Sequence, residues 1–519
     1  MRHLAVLPVL LPLLTGALLI VLRRLPLVVH RTASSLAALA VLAATLALAT
    51  ATADGTVLGY VAGNWLPPFG IVLAVDRLTV MMLLLATIAV LACLCGAMDG
   101  EDARGPHFHA LLCLQLAGLC GAFLTADLFN LFVFFELLLI SSYALLLHAG
   151  GGERVTATTH YLVVNLVGSA VFLIAVALLY GVTGTLNLAD LAARLPQLSD
   201  ADLPLAQSAL LLLLVVFGIK AALAPLYFWL PGTYHAASAP IAALFAVFTK
   251  VGVYCIARVF NTLSDSPAAL EITARYLLPL GLVTLMLGAI GAFAARDLRA
   301  LAASLVIASS GTLLSSLGFF ARDTTAAALF YLAHSTMAGA ALFLIAGLIR
   351  LARAEHEDNL AIGTPLLRAG WLGGLFFVSA MMSAGLPPTS GFIAKLGLLT
   401  TSAAQTSGFW FWSVLLAGSA LTLVALARGG SLFFWRPLTA AHLELASADP
   451  PLENTAPIGA LRSSPGATTA VVFLLACGAA LAIAATPLQR YMSAAAAALA
   501  SPTDYIHAVL TVPPVERRP

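Results

Sequence analysis

The chain has 519 residues, of which 61% are hydrophobic and 9% charged, with a mean hydropathy of +1.01. A soluble domain carries about 25% charge, so this composition excludes a soluble core and indicates one polytopic, all-α integral membrane domain. The formal net charge of +2 comes without a clustered basic face and gives no basis for a nucleic-acid partner.

In chain order, apolar runs of the roughly 20 residues needed to cross a bilayer predict about fourteen transmembrane helices. They lie near residues 4–22, 33–52, 72–96, 108–125, 128–148, 161–182 and 206–230, then 237–260, 276–295, 300–320, 325–349, 370–402, 409–434 and 467–486. Arg2 and His3 before the first run resemble a signal peptide, but Arg23 and Arg24 follow it directly, as flanks of a retained helix do. The expected division is 1–107 for three N-terminal helices, 108–262 and 263–436 for two five-helix repeats, and 437–519 for a loop, a last helix and a tail. Cys93, Cys95, Cys113, Cys120, Cys255 and Cys477 all fall within or beside apolar runs, without metal-ligand spacing, and read as small buried hydrophobes.

Counting spans in this way puts Arg23, Arg24, Arg31, Arg104, Arg154, Arg296, Arg299, Arg350, Arg353, Arg368, Arg428, Arg436 and Arg462 on one side. The positive-inside rule makes that side the cytoplasm and places both termini outside. The opposite loops carry only scattered basic residues such as Arg77, Arg194, Arg275 and Arg322. The loop from Pro437 to Gly466 is polar, rich in Pro, Ala and Ser, and reads as an irregular cytoplasmic segment.

Two spans are interrupted. Pro225 and Pro231 fall within Gly218-Ile-Lys-Ala-Ala-Leu-Ala-Pro-Leu-Tyr-Phe-Trp-Leu-Pro-Gly232, and Pro387 and Pro388 within Ser383-Ala-Gly-Leu-Pro-Pro-Thr-Ser-Gly-Phe-Ile-Ala-Lys395. An interior proline removes a helix hydrogen bond and clashes with the carbonyl four residues back, so both are expected to be broken helices with a lysine beside the break. They lie five spans apart, as paired discontinuous helices of two inverted five-helix repeats would.

The division of basic residues is the most informative pattern. All three lysines, Lys220, Lys250 and Lys395, fall inside predicted spans, while the arginines are expected at loops and helix ends. Taking an ammonium out of water favours its neutral form, so a buried lysine can load and release a proton, whereas arginine stays charged. Glu136 is the only acid near mid-span. A charge at the helix centre costs about 2.5–3.5 kcal/mol, so Glu136 and Lys220 are expected to pair and titrate as a unit. His334 is a candidate bridge between Lys250 and Lys395, because imidazole changes charge near neutral pH. His160 and His235, near cytoplasmic span ends, are candidate proton-access positions. Asn165 and Tyr143 read as helix-packing groups.

At these residues the sequence resembles the antiporter-type subunits shared by Mrp antiporters and the membrane arm of respiratory complex I. The Glu136 segment resembles that family's fifth-helix glutamate motif, and Gly218 to Pro231 its broken seventh helix. Phe248-Thr-Lys-Val-Gly-Val-Tyr254 resembles its eighth-helix lysine motif, and Leu386 to Lys395 its broken twelfth helix. The likeness runs from about Gly63 to Trp435. Gly63-Asn-Trp-Leu-Pro-Pro-Phe-Gly-Ile71 with Asp76-Arg77, and a tail with Asp504-Tyr-Ile-His-Ala-Val-Leu510, resemble the MrpD (PhaD) branch. Lys395 separates the chain from the complex I subunit with glutamate there, and the short tail from the large subunits with a lateral helix. The complex I subunit that keeps this lysine is the nearest alternative.

Ser309 and Ser310 stand where relatives often carry a histidine or glutamine and a large apolar residue, and no lysine follows His334 at helical spacing. The resemblance implies a proton pathway through Glu136, Lys220, Lys250, His334 and Lys395. It also implies a hetero-oligomeric complex with other Mrp subunits in a bacterial inner (plasma) membrane, in contact with lipid. That complex would exchange protons for Na+ or another monovalent cation, without a redox cofactor.

Overall fold

With no water to take their bonds, apolar stretches close their backbone hydrogen bonds internally as helices. The computed structural model describes residues 2–353, 356–361, 366, 369–435 and 464–513. After a 3-10 turn at Arg2–Val6 come α1 (Leu7–Val21) and α2 (Leu27–Ala51), then a two-stranded antiparallel hairpin of β1 (Leu58–Val61) and β2 (Val72–Val75) with Leu58 opposite Val75. The first half continues through α3 (Arg77–Ala97), α4 (Phe108–Leu124), α5 (Leu128–Leu146), α6 (Gly152–Thr183) and the short α7 (Leu188–Arg194). It closes with α8 (Leu203–Lys220), α9 (Trp229–Ala236), α10 (Ala239–Phe245) and α11 (Phe248–Thr262). The second half comprises α12 (Pro267–Ala294), α13 (Leu298–Leu317), α14 (Arg322–Arg353), α15 (Ala369–Ala384), α16 (Ser390–Ser402) and α17 (Gly408–Gly430). The last elements are α18 (Pro465–Ile483), α19 (Ala485–Ala500) and α20 (Thr503–Leu510).

Among the described residues, twelve helices are long and apolar enough to cross a membrane, by length and composition, and Phe108–Leu124 and Ala369–Ala384 are shorter apolar helices. The chain is thus an all-helical, multi-pass membrane protein. The most enclosed of the candidate spans are α10–α11 and α13, followed by α3 and α14. Helix α14 packs against α13, α16, α18 and α19.

Two corners repeat at opposite ends. Asp127 caps α5 by accepting from the Asn130 amide at 2.7 Å, and its backbone bridges Asn187 beyond the 32-residue α6. Asp297 caps α13 by accepting from the Ala300 amide at 2.7 Å, and its backbone bridges Asn359 beyond the 32-residue α14. The Asp127 corner adjoins the hairpin through the Leu73–Thr125 bridge. The Asp297 corner joins the arginine-rich end, where Arg299 pairs with Asp358 at 3.0 Å and Arg350 with Glu357 at 2.8 Å. Helix α20 and the Arg2–Val6 turn both pack on the hairpin, so the two described ends of the chain share one face.

Several boundaries differ from the expected ones. Helix α2 begins at Leu27 and α6 at Gly152, because polar residues at an interfacial helix end still make helix hydrogen bonds although they break the apolar run. Residues 72–75 form a strand, since four consecutive apolar residues suit a strand as well as a helix and the Asp76 carboxylate, accepting from the Thr79 amide at 2.9 Å, starts the helix after them. The hairpin and α7 have no counterpart among the predicted spans. The last span ends at Ile483, short of residue 486, and a separate helix, α19, follows from Ala485.

Pro231 does not break its helix. It sits in the first turn of α9, where an amide is not required, and the interruption lies at residues 221–228 around Pro225. Arg258 lies near the end of α11, as expected of an arginine, but it is buried there, pairs with Asp76 at 2.7 Å and lies over the Tyr505 ring at 4.7 Å. Arg368, Arg436, Arg462 and the Pro437–Gly466 loop up to Arg462 lie outside the described residues.

At the arginine end the N-terminal helices are joined through Asp102, in the loop after α3. Its carboxylate accepts from Arg31 Nε at 2.6 Å and Nη2 at 2.8 Å, and faces His109 Nε2 at 3.1 Å. His109 Nδ1 meets Ser34 Oγ at 2.8 Å. Burial alone would raise the Asp102 carboxyl, but the hydrogen bonds from His109 and Arg31 hold it down at about 2. A carboxyl lowered on folding stabilises above its unfolded range and loses that contribution as pH falls toward its folded value. Thermal unfolding of the detergent-solubilised protein should therefore be insensitive to this group at neutral pH and weaken below about pH 4. Asp102→Ala should cost about 3 kcal/mol at neutral pH, the lower end for breaking a buried pair because Arg31 stays partly exposed. An unchanged unfolding temperature in that variant would contradict the assignment.

Candidate functional site

Each broken helix carries a lysine beside its break. Lys220 is the last residue of α8. Lys395 lies on α16, beyond the second break, and reaches back so that its Nζ donates to the Ala384 carbonyl at 2.8 Å, at the end of α15. The carboxyl end of a helix carries about half a negative charge, so the Lys395 ammonium finds a dipole there, whereas the Lys220 ammonium bonds a side chain of another helix.

In the first half, Glu136 on α5 and Lys220 are not in ion-pair contact among the described residues. They are joined through α6. Lys220 Nζ donates to Asn165 Oδ1 at 2.9 Å, and Ser169, one turn along, donates a short hydrogen bond to Glu136 Oε1. The expected direct pair is replaced by an amide and a hydroxyl that keep the two charges apart while bonding both. Asn165, expected as a packing group, is the partner of Lys220. A signal for this exists in the sequence: two polar residues four apart in an apolar run share one helix face.

Pro225 lies in the first break, where the freed backbone groups are taken by side chains. Ser310 of α13 donates a short hydrogen bond to the Ala221 carbonyl, Trp229 Nε1 donates to the Ile219 carbonyl at 3.0 Å, and the Ala224 amide donates to Thr284 Oγ1 at 2.8 Å. Gly252 of α11 sits against this turn, and a Cβ there would collide with the Ala221 amide nitrogen. The glycine therefore allows the lysine-bearing α11 to approach the break.

Lys250 is 1% exposed and donates to Ser309 Oγ at 2.6 Å. Ser309 also lines a cavity of about 50 Å3 that His334, Lys395 and Ser419 border, room for a small number of waters. His334 Nδ1 lies 3.0 Å from Ser390 Oγ, and Lys395 also donates to Ser419 Oγ at 3.1 Å. Pro387 and Pro388 lie in the second break, between α15 and α16. The structure thus brings His334 and Lys395 to one small, mostly apolar pocket, with Lys250 behind it through Ser309; Ser390 and Ser419 are partners that the sequence alone does not single out.

The two other histidines lie apart from these groups. His235 is at the arginine end, with Nδ1 3.1 Å from Glu153 and Nε2 3.4 Å from Asp297. Burial would raise Asp297, but the hydrogen bonds from His235 and from the Ala300 amide outweigh it and hold that carboxyl low. His160 is exposed on α6, with its ring beside Phe228 of the first break.

Asn165→Ala and Ser309→Ala each remove a side-chain partner of a buried ammonium. A hydrogen bond to a charged group contributes about 1.5–3 kcal/mol, so each variant should shift proton transfer by about ten-fold or more. Vesicle assays, with assembly checked by immunoblotting, measure this; wild-type rates in both variants would remove these partners from the proton pathway that the resemblance implies.

Residues 125–422 match the family described as NADH:quinone oxidoreductase/Mrp antiporter, TM. The sequence is 38% identical over 549 aligned residues to the D-type subunit of a probable K(+)/H(+) antiporter of Rhizobium meliloti, covering 98% of each chain. It is 34% identical to the D-type subunit of a Na(+)/H(+) antiporter of Alkalihalophilus pseudofirmus, covering 98% of this chain and 100% of that one. Among solved structures, a chain of the Mrp complex from Dietzia sp. DQ12-45-1b superposes with a TM-score of 0.85 at 30% identity, covering 98% of this chain and all of that chain.

Proposed function

Because the chain belongs to the NADH:quinone oxidoreductase/Mrp antiporter membrane family, we propose that it is the proton-translocating D-type subunit of a multisubunit monovalent cation/proton antiporter. The observation that carries this reading is the placement of the three lysines. All are in the membrane interior, each bonded to neutral oxygen and none in ion-pair contact with a carboxylate among the described residues. A proton moves between Glu136 and Lys220, which Ser169 and Asn165 hold by hydrogen bonds from α6, and then past Lys250 and Ser309 to His334 and Lys395 beside the inner cavity. Arriving charge is stabilised by the helix ends and hydroxyls already in place.

Fourteen spans follow if the two shorter apolar helices cross with the twelve long ones. The Asp127 and Asp297 corners, at opposite ends and each beside a 32-residue helix, support two inverted repeats within 108–262 and 263–436. The arginine-rich end is the cytoplasmic one on the positive-inside rule, which sets both described chain ends outside and His235 at the cytoplasmic mouth. Glu136 and Lys395 are each half-buried at the bundle surface. Ionisable groups facing lipid are expensive, and neighbouring subunits of the complex cover them. Full-length similarity to antiporter subunits favours this reading over a redox-driven pump.

Part of the backbone oxygen freed at the breaks is already engaged. Hard cations take several oxygen ligands, whereas the carbonyls of Ile219 and Ala221 are bonded to Trp229 and Ser310, and that of Ala384 to Lys395. This chain expressed alone in vesicles should give no sodium-dependent pH change, and robust exchange by the isolated subunit would move the cation path onto it. In the assembled complex, Glu136→Ala should abolish antiport. Lys220→Arg and Lys395→Arg should each lose about ten-fold or more, because arginine keeps the charge but not the proton exchange. Wild-type transport by either arginine variant would make that lysine a fixed counter-charge.

A further inference from the structure

A second cavity lies in the half of the molecule away from the arginines. It measures about 270 Å3 and opens between α14, α16 and α19. Its mouth carries Asp323, Thr400 and Gln489, all exposed. Thr400 and Thr401 donate their hydroxyl hydrogens to their own helix, at the Leu396 and Gly397 carbonyls, which leaves their oxygen lone pairs for water. Tyr491, next to the Gln489 and Ser493 that line this cavity, donates to the Arg77 carbonyl at the hairpin end of α3. The mouth therefore belongs to the hairpin end.

The cavity follows two helix faces inward. On α14 the lining passes from Asp323 through Ala327 to Phe330, and on α16 from Thr401 through Gly397 to Ala394. Small side chains keep the walls apart until Phe330, which is 1% exposed, and Ala394 close the floor. One turn deeper on the same two faces, four residues and roughly 6 Å further, are His334 and Ser390, joined at 3.0 Å. His334 borders the inner pocket with Lys395. Phe330 and Ala394 are thus the innermost lining residues on these two faces, one helical turn from the buried groups of the second half.

We infer that the groove between α14 and α16 is the proton's passage between His334 and the hairpin end of the protein, and that Phe330 is its plug. This inference rests on the proposed proton-translocating role and adds its route and its barrier. Phe330 excludes a continuous water chain, so protons cross only when the side chain moves aside. Asp323 at the mouth draws cations toward the opening.

The test uses the assembled complex in vesicles of both orientations. Gly397→Cys fits, since a Cβ there stays 3.6 Å from the Ala327 Cβ, and Thr401→Cys is close in size. A membrane-impermeant cationic methanethiosulfonate is the probe, with the parent chain and its six cysteines as control. Both variants should be modified from the hairpin face alone, and modification should lower antiport at least ten-fold relative to each unmodified variant. Failure of Gly397→Cys to react from that face, or full modification with antiport unchanged, overturns the route.

Phe330→Ala should raise passive proton leak several-fold in vesicles holding a pH gradient without exchangeable cation. Should that variant not assemble, Phe330→Leu replaces it, with a smaller leak expected. An assembled variant with wild-type tightness overturns the plug. Lys395→Arg in the same vesicles separates the two ideas: inactive Lys395→Arg beside an unaffected, fully modified groove rejects the route alone, whereas active Lys395→Arg rejects the underlying proton role as well.

Discussion

The structure turns on one constraint, the stabilisation of ammonium groups in a bilayer interior without carboxylate partners. The solution is to interrupt a helix. A continuous helix has no free carbonyl at mid-membrane, whereas a broken one ends there and presents a partial negative charge. Lys220 ends α8, and Lys395 turns back to the last carbonyl of α15. A dipole and a hydroxyl stabilise the charged lysine less than a carboxylate contact would, so the neutral form stays within reach. Such a balance suits a group that must exchange its proton, and it suits lysine but not arginine.

The halves are coupled through α13. Ser310 bonds the backbone of the first break, while its neighbour Ser309 holds Lys250 and faces the inner pocket of the second half. Helix α13 thus touches the first break and, one residue away, the second-half pocket. Gly252 completes the junction by letting α11 touch the break. Larger side chains at 309 and 310 would fill the space beside that pocket and the first break.

Most of the architecture is legible in the sequence because hydropathy and proline report directly on membrane helices. Lysine confined to spans, Glu136 at mid-span and two proline-bearing breaks are all visible there. The hairpin is not, since Val72–Val75 is as apolar as a helix start, and neither is Arg258, whose partner Asp76 lies 182 positions away in sequence. Direct Glu136–Lys220 contact is the natural expectation because charge attraction is easily read from composition. The interposed Asn165 and Ser169 depend on the rotation of α6, which an apolar run does not specify. Residue type alone makes Pro231 a break, although a proline in a helix's first turn begins it.

All three lysines of the chain occupy the proposed pathway, so 15N-lysine labelling of this subunit alone, assembled with unlabelled partners, places isotope at the pathway and nowhere else in the chain. Solid-state NMR of the side-chain nitrogens across neutral and mildly alkaline pH then reads their protonation directly. The account predicts that at least one of the three nitrogens shows the neutral amine signal within that range, and that the signal responds to Glu136→Ala. Three ammonium signals unchanged throughout, in a complex active in antiport, would contradict it.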